Sequence, residues 1–183
     1  MILREPFIIL VIIFWALFPS FLPGQEVTIS ASETEGCDSL SVDFSYSTTL
    51  GNVTSVNWDF GNGTTSAEQN PAPVFYNEPG LYKVRLEINQ SYFDEENILV
   101  RPSPNSFFAF SDTLEPGSYI VAFRAPPQLV DSFTYQYKWY FPGNTSYNTR
   151  WVTHQFDSAG ITRVGLVVRD DFGCIDSTFR RIR

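Results

Sequence analysis

The stretch Val56-Asn57-Trp58-Asp59-Phe60-Gly61-Asn62-Gly63 constrains the fold more than any other part of the chain. Alternation puts Val56 and Trp58 on one face and Asn57 and Asp59 on the other, the pattern of a half-buried β-strand. Asn62-Gly63 is a strong hairpin signal, because a type I′ turn needs φ > 0 at both central residues and Asn and Gly tolerate that best. A strand is therefore expected to end near Phe60, with Trp58 in a core.

The pattern returns about 81 residues later, which is the mark of an internal repeat. Lys138-Trp139-Tyr140-Phe141-Pro142-Gly143-Asn144 aligns with residues 57 to 63, Trp on Trp and Phe on Phe. Downstream, residues 76 to 88 match residues 156 to 168 without a gap, so that Gly80 falls on Gly160. Two copies of one domain are the simplest explanation. Short alternating segments separated by turn residues, with no sustained 3.6-residue period, make both copies all-β.

Trp-Asp-Phe-Gly-Asn-Gly, an aromatic four residues before Gly80 and an alternating strand after it resemble the PKD (polycystic kidney disease) domain. The motif residues are Trp58, Asp59, Phe60, Gly61, Asn62, Gly63 and Gly80, with Trp139, Phe141 and Gly160 kept in the divergent second copy. The first copy departs at Asn62, where the family usually has Asp. The resemblance implies two tandem immunoglobulin-like β-sandwiches, residues 25–101 and 105–183, joined by a proline-stiffened linker at 102–104. It also implies a non-catalytic binding or adhesion module of secreted or cell-surface proteins, recognising protein or polysaccharide. A spacer without a ligand of its own is the alternative, and a metal-dependent enzyme a third reading.

Residues 7–18 form an apolar run behind Arg4, too short for the ~20 residues of a bilayer span, so residues 1–24 read as a signal peptide. Any attachment to a membrane would then be through this segment left uncleaved. The formal net charge of −8, without a Lys/Arg cluster along the sequence, argues against nucleic acid as a partner. Catalytic parts are scarce: His154 is the single histidine, and no Gly-x-Ser-x-Gly elbow or His-Glu-x-x-His motif is present.

Cys37 and Cys174 are the two cysteines, in a chain whose leader implies an oxidising compartment. In many PKD-like copies a Cys before the second strand and another in the turn before the last strand occur together. Here each copy keeps one of the two positions, so a bond would have to cross between domains; two free or intermolecular thiols are the alternative. Asp94, Glu95, Asp170 and Asp171, read as lying in turns before the last strand of each copy, are candidate Ca²⁺ ligands by their oxygen chemistry, set against solvated acidic turns. No other cofactor is expected. Phe133, Tyr135, Tyr137 and Trp139 share one face of a strand and are expected inside, leaving Tyr140 and Tyr147 as the candidates for exposed ligand contact.

Overall fold

The computed structural model describes residues 26–112, 119–130 and 132–183. The leader at 1–24 lies outside these residues. Among the described residues no helix is long and apolar enough to cross a membrane.

Two apolar cores organise an all-β chain. The first is enclosed by strands β1 (Val27–Ala31), β2 (Glu35–Cys37), β3 (Leu40–Val42), β4 (Phe44–Thr48), β5 (Val56–Asp59), β6 (Thr65–Ser66), β7 (Val74–Tyr76), β8 (Gly80–Ile88) and β9 (Tyr92–Arg101). One sheet has the order β2-β9-β8-β5-β6, and the pairs β1-β4 and β3-β7 lie opposite it. Alternation drives Val42, Trp58, Val84, Leu86, Ile88 and Ile98 fully inside. Leu40 to Tyr46 alternates as one strand in the sequence, but it changes partners at Asp43. There the backbone bonds Ser32 at the end of β1, the Asp43 N–H reaching Ser32 Oγ at 3.0 Å. The segment thus passes from β7 to β1 without losing its inward face.

The second core is enclosed by β10 (Ala109–Asp112), β11 (Ile120–Arg124), β12 (Tyr135–Tyr140), β13 (Ser146–Tyr147), β14 (Trp151–Gln155), β15 (Thr162–Asp170) and β16 (Ile175–Ile182). Its sheets are β10-β11-β14 and β13-β12-β15-β16. Trp139, Val164, Leu166 and Val168 are fully buried, as are Trp58, Val84, Leu86 and Ile88 at the aligned positions of the first core. Both indoles are tied down alike. Trp58 Nε1 donates to the Glu68 carbonyl at 3.1 Å and Trp139 Nε1 to the Thr149 carbonyl at 2.8 Å, each ten residues on. Tyr135 and Tyr137 pack against the second core, while Phe133 stands before β12 with its ring 4.8 Å from that of Phe172.

The Asn62-Gly63 turn differs from expectation. Positive φ occurs at Gly61 (71°) and Gly63 (86°) and not at Asn62, so the turn is not type I′. The loop closes instead from Phe60 N–H to the Thr64 carbonyl, with Asp59 Oδ1 accepting from Gly61 N–H and Asn62 Oδ1 from Thr64 N–H. Packing decides this: a Cβ on Gly61 would sit 2.6 Å from the Lys83 carbonyl oxygen, so the loop is pressed against β8. The turn with φ > 0 at both central residues is found at Asn89 (53°) and Gln90 (55°), between β8 and β9, where Ser91 N–H donates to the Ile88 carbonyl.

The two halves are cross-linked. Cys37, ending β2, and Cys174, in the turn before β16, form a disulfide with Cα atoms 5.7 Å apart. Around it, Asp38 N–H donates to the Arg101 carbonyl and Asp38 Oδ1 accepts from Ser103 N–H, binding the linker to the first half. Arg101 bonds Glu35 at 2.6 Å and lays its guanidinium 4.0 Å from the centre of the Phe172 ring, in the same turn as Cys174. The linker is stiffened by its prolines and by these contacts on either side of it.

Candidate recognition surface

Of the four acidic candidates expected in turns, only Asp171 lies in one. Asp94 and Glu95 lie inside β9, whose alternation sends them to opposite faces, so they cannot chelate one ion together. Asp94 Oδ2 accepts the Ile29 N–H at 2.7 Å and joins β1 to β9. Glu95 meets Lys83 and Arg85 on the outer face, and the hydrogen bond from Lys83 is the main reason its carboxyl is held below the usual carboxylate range. Asp170 ends β15 and is buried. Its Oδ1 accepts from the Phe172 and Cys174 N–H groups, which shapes the turn that carries the disulfide. Asp171 is exposed beside it. Among the described residues no group of three or more His, Cys, Asp or Glu side chains is placed to hold a metal.

His154 is half-buried between rings, stacked on Phe141 at 4.2 Å with its Nδ1 3.4 Å from the Tyr147 hydroxyl. Burial lowers its pKa from the ordinary histidine value, and nearby Asp157 opposes this more weakly. Its ring contacts are with Phe141, Tyr147 and Phe156, which hold it as a packing residue at the edge of the second core.

Tyr147 needs correction. The register sets it opposite Trp139, so it shares the inward face and packs edge-on against Phe141 instead of standing exposed. Tyr140 does face outward, and its neighbours make a surface that spans three strands. Cross-strand rows on the outer face of β12-β15-β16 read Arg163–Arg181, Tyr140–Gly165–Phe179, Lys138–Val167–Ser177 and Gln136–Arg169–Ile175. Successive rows are two residues apart, so the strip runs for roughly 20 Å.

Two rings lie at its centre. Tyr140 and Phe179 have centroids 6.1 Å apart, and they meet across Gly165, where any Cβ would overlap the Phe179 ring. Arg163 lies 4.7 Å from the Phe179 centroid and Lys138 5.3 Å from that of Tyr140, distances at which a cation is attracted to a ring face. Phe179 remains 45% exposed and Tyr140 38%, enough for both to be touched from outside.

The outer face carries Lys138, Arg163, Arg169 and Arg181 and no carboxylate. The corresponding face of the first half is built differently. On β5, β8 and β9 the outward charges are Asp59, Lys83, Arg85, Glu87, Glu95 and Arg101, and the cations there are paired: Lys83 with Glu95 at 2.5 Å, Arg85 with Glu95 at 3.4 Å and with Glu87 at 3.8 Å, and Arg101 with Glu35. By register, Tyr140, Val167 and Phe179 stand where the first half has Asp59, Glu87 and Glu95. The basic face is thus a clustering of Lys and Arg that the linear sequence conceals. Its members come from three strands and lie up to 43 positions apart.

The other outer face of the second half has a shallow depression of about 370 Å³. Ala109, Ser111, Ala122 and Thr153 are among its lining residues, together with Trp151, which is 63% exposed, and Arg124, whose guanidinium is 4.9 Å from the indole. Trp151 lies on the face of β14 opposite Val152 and His154. Of its small neighbours, Thr153 is on the same strand and Ala109, Ser111 and Ala122 come from two others.

Residues 22–96 match a family model, that of the PKD domain. No curated protein matches the chain. Among solved structures, the chain is similar to the three N-terminal domains of the highly immunogenic outer capsid protein of bacteriophage RB49, at 14% identity and a TM-score of 0.38 over 86% of this chain. It spans 58% of that structure's length. It is also similar to the fibronectin(III)-like modules of Clostridium thermocellum CbhA, at 10% identity and a TM-score of 0.37 over 85% of this chain and 93% of that one. Murine CEACAM1b gives 12% identity and a TM-score of 0.37 over 86% and 98%.

Proposed function

Because the first sandwich is a PKD domain, a fold type that is generally non-catalytic, we propose that the protein is an extracellular or cell-surface recognition module whose second, PKD-like sandwich supplies the contact surface. The observation that carries this reading is the exposed Tyr140–Phe179 pair and its unpaired cations. A face that served only solubility would mix and pair its charges, as the aligned face of the first sandwich does. Recognition here works by surface complementarity on a rigid scaffold, with protein or polysaccharide as the ligand.

The spacer reading has one observation of its own. The Cys37–Cys174 bond joins the sandwiches and gives the pair a fixed geometry, which suits a stalk as well as a binder. A pull-down of residues 25–183 on insoluble polysaccharides and matrix proteins, with and without Ca²⁺, separates the two. Retention that Tyr140→Ala weakens with the fold intact supports recognition. Absence of retention on every material supports the spacer. Retention that depends on Ca²⁺ would return attention to Asp170 and Asp171.

A further inference from the structure

We infer that the outer face of β12-β15-β16 binds an extended polysaccharide bearing anionic groups, an inference that rests on the recognition reading above and specifies its ligand. Arg163 and Arg181 lie directly opposite each other across two strands, a like-charge pairing that disfavours the sheet unless an anion lies between or above them. Lys138 and Arg169 continue the positive strip, and none of the four has an ion-pair partner among the described residues. The chain as a whole carries −8, so this concentration of positive charge runs against the protein's average.

The fold does not require it. At the same register the first sandwich balances its cations with Glu87 and Glu95, so an immunoglobulin-like sheet of this design is stable with paired charges. In the second sandwich two of the acids are exchanged for rings and one for valine, while Asn57 and Asn97 give way by register to Lys138 and Arg181. Against these, Arg85 gives way to Gly165 and Phe93 to Ser177, but the loss of all three acids still moves the face as a whole toward positive charge.

Charge and shape together select the ligand class. The face is the flat side of a sheet whose central backbone groups are spent on neighbouring strands, so a peptide cannot add to it as a further strand. The depression beside Trp151 lies on the other face of the sandwich. What it offers is cations interleaved with ring faces along a strip, and a polymer of sugar acids or sugar sulfates alternates apolar C–H patches with fixed anions in the same way. A nucleic acid would also find cations and rings here. Its phosphate charge would be opposed by the acidic remainder of the molecule at low salt, as that of any densely charged polymer is, so the measured preference between the two decides the class.

The test uses the whole secreted chain with its disulfide intact and two matched pairs of probes: polygalacturonate against its fully methyl-esterified form, and dextran sulfate against dextran. Binding is expected to at least one charged polymer and not to its neutral partner, and it is expected to disappear in 0.5 M NaCl, where the Debye length is only about 4 Å. The double variant Arg163→Gln/Arg181→Gln should weaken it about tenfold, as the loss of two exposed ion contacts implies. Lys83→Gln/Arg85→Gln on the first sandwich should leave it unchanged. Equal binding of charged and neutral partners would overturn the inference while sustaining recognition. So would an oligodeoxynucleotide or poly-aspartate that binds more tightly than either charged polysaccharide, or a double variant that binds as well as the parent while its circular dichroism is native. Binding to none of the four polymers overturns it as well. Only the wider panel of materials then decides whether the recognition reading falls with it.

Discussion

Gly61 and Gly63 differ by two positions and both have positive φ, yet the structure assigns them unequal burdens. A Cβ at Gly63 meets nothing within 4 Å, so Gly63→Ala incurs only the cost of holding an L-residue in the left-handed region, about 1–2 kcal/mol. Gly61→Ala incurs that cost too, and its Cβ would also lie 2.6 Å from the Lys83 oxygen and 2.9 Å from the Lys83 nitrogen. Both are backbone atoms of Lys83 in β8, which pairs with Asn97 of β9 and is anchored two residues on by the pairing of Arg85 with Asp59 of β5, so neither can swing away freely. Displacing the loop or the strand is an overpacking cost of roughly 1–3 kcal/mol. Gly61→Ala should therefore destabilise the first sandwich by about 2–5 kcal/mol, at least ~1 kcal/mol more than Gly63→Ala. Urea titration of hydrogen-exchange protection at β5 and β8 amides reads this locally, and with m near 1–3 kcal/mol/M the two midpoints should separate by about 1 M. Equal midpoints, or a milder Gly61→Ala, would show that the loop does not bear on β8 as described.

Three further outcomes follow from the packing. Replacing both cysteines by serine frees a 137-residue separation in the unfolded chain and should cost up to about 5 kcal/mol on the chain-entropy account, read as a lower urea midpoint for the variant. Trp58→Phe and Trp139→Phe each remove an indole donor bonded to a carbonyl ten residues on, together with buried volume; losses of similar size, about 2–4 kcal/mol, are expected in their respective sandwiches, and a much smaller loss at one would break the equivalence of the cores. Because burial lowers the folded pKa of His154, the unfolded chain binds the proton first as pH falls. Stability is therefore complete above the ordinary histidine value of ~6.5 and declines as pH drops through it toward the folded value. His154→Gln should flatten that part of the pH profile of the urea midpoint, and an unchanged slope would locate the titration elsewhere.

What could be read from the sequence was what one strand or one repeat reports about itself. Period-two alternation identified Trp58 and Trp139 as core residues, because burial on a sheet depends on position along the strand. What escaped depends on contacts between strands. The Asn62-Gly63 hairpin failed because Gly61 is pressed onto β8, a contact that turn propensities do not contain. Asp94 and Glu95 were placed in a turn although the local signal lay at Asn89-Gln90, whose Asn also binds Thr54 and Ser55 N–H groups through its side chain. Tyr147 is turned inward by its pairing with Trp139. The basic face escaped for the same reason on a larger scale: its cations become neighbours only when β12, β15 and β16 pair.

The bond between Cys37 and Cys174 also determines how the molecule answers a pull. It closes a ring that contains every strand from β3 to β15, and a load between Glu26 and Arg183 passes across the two sulfurs without entering that ring. Such a load can draw out only some 20 residues, roughly 70 Å at 3.3–3.6 Å per residue, whereas the reduced chain would yield about 550 Å. Trp58, Trp139 and Tyr140 lie within the shielded part, whereas Phe179 and Arg181, on β16, lie outside it. Under tension the oxidised protein would give up only β1, β2 and β16 and behave as a short, nearly inextensible link, with the Phe179 side of its contact surface the part that yields.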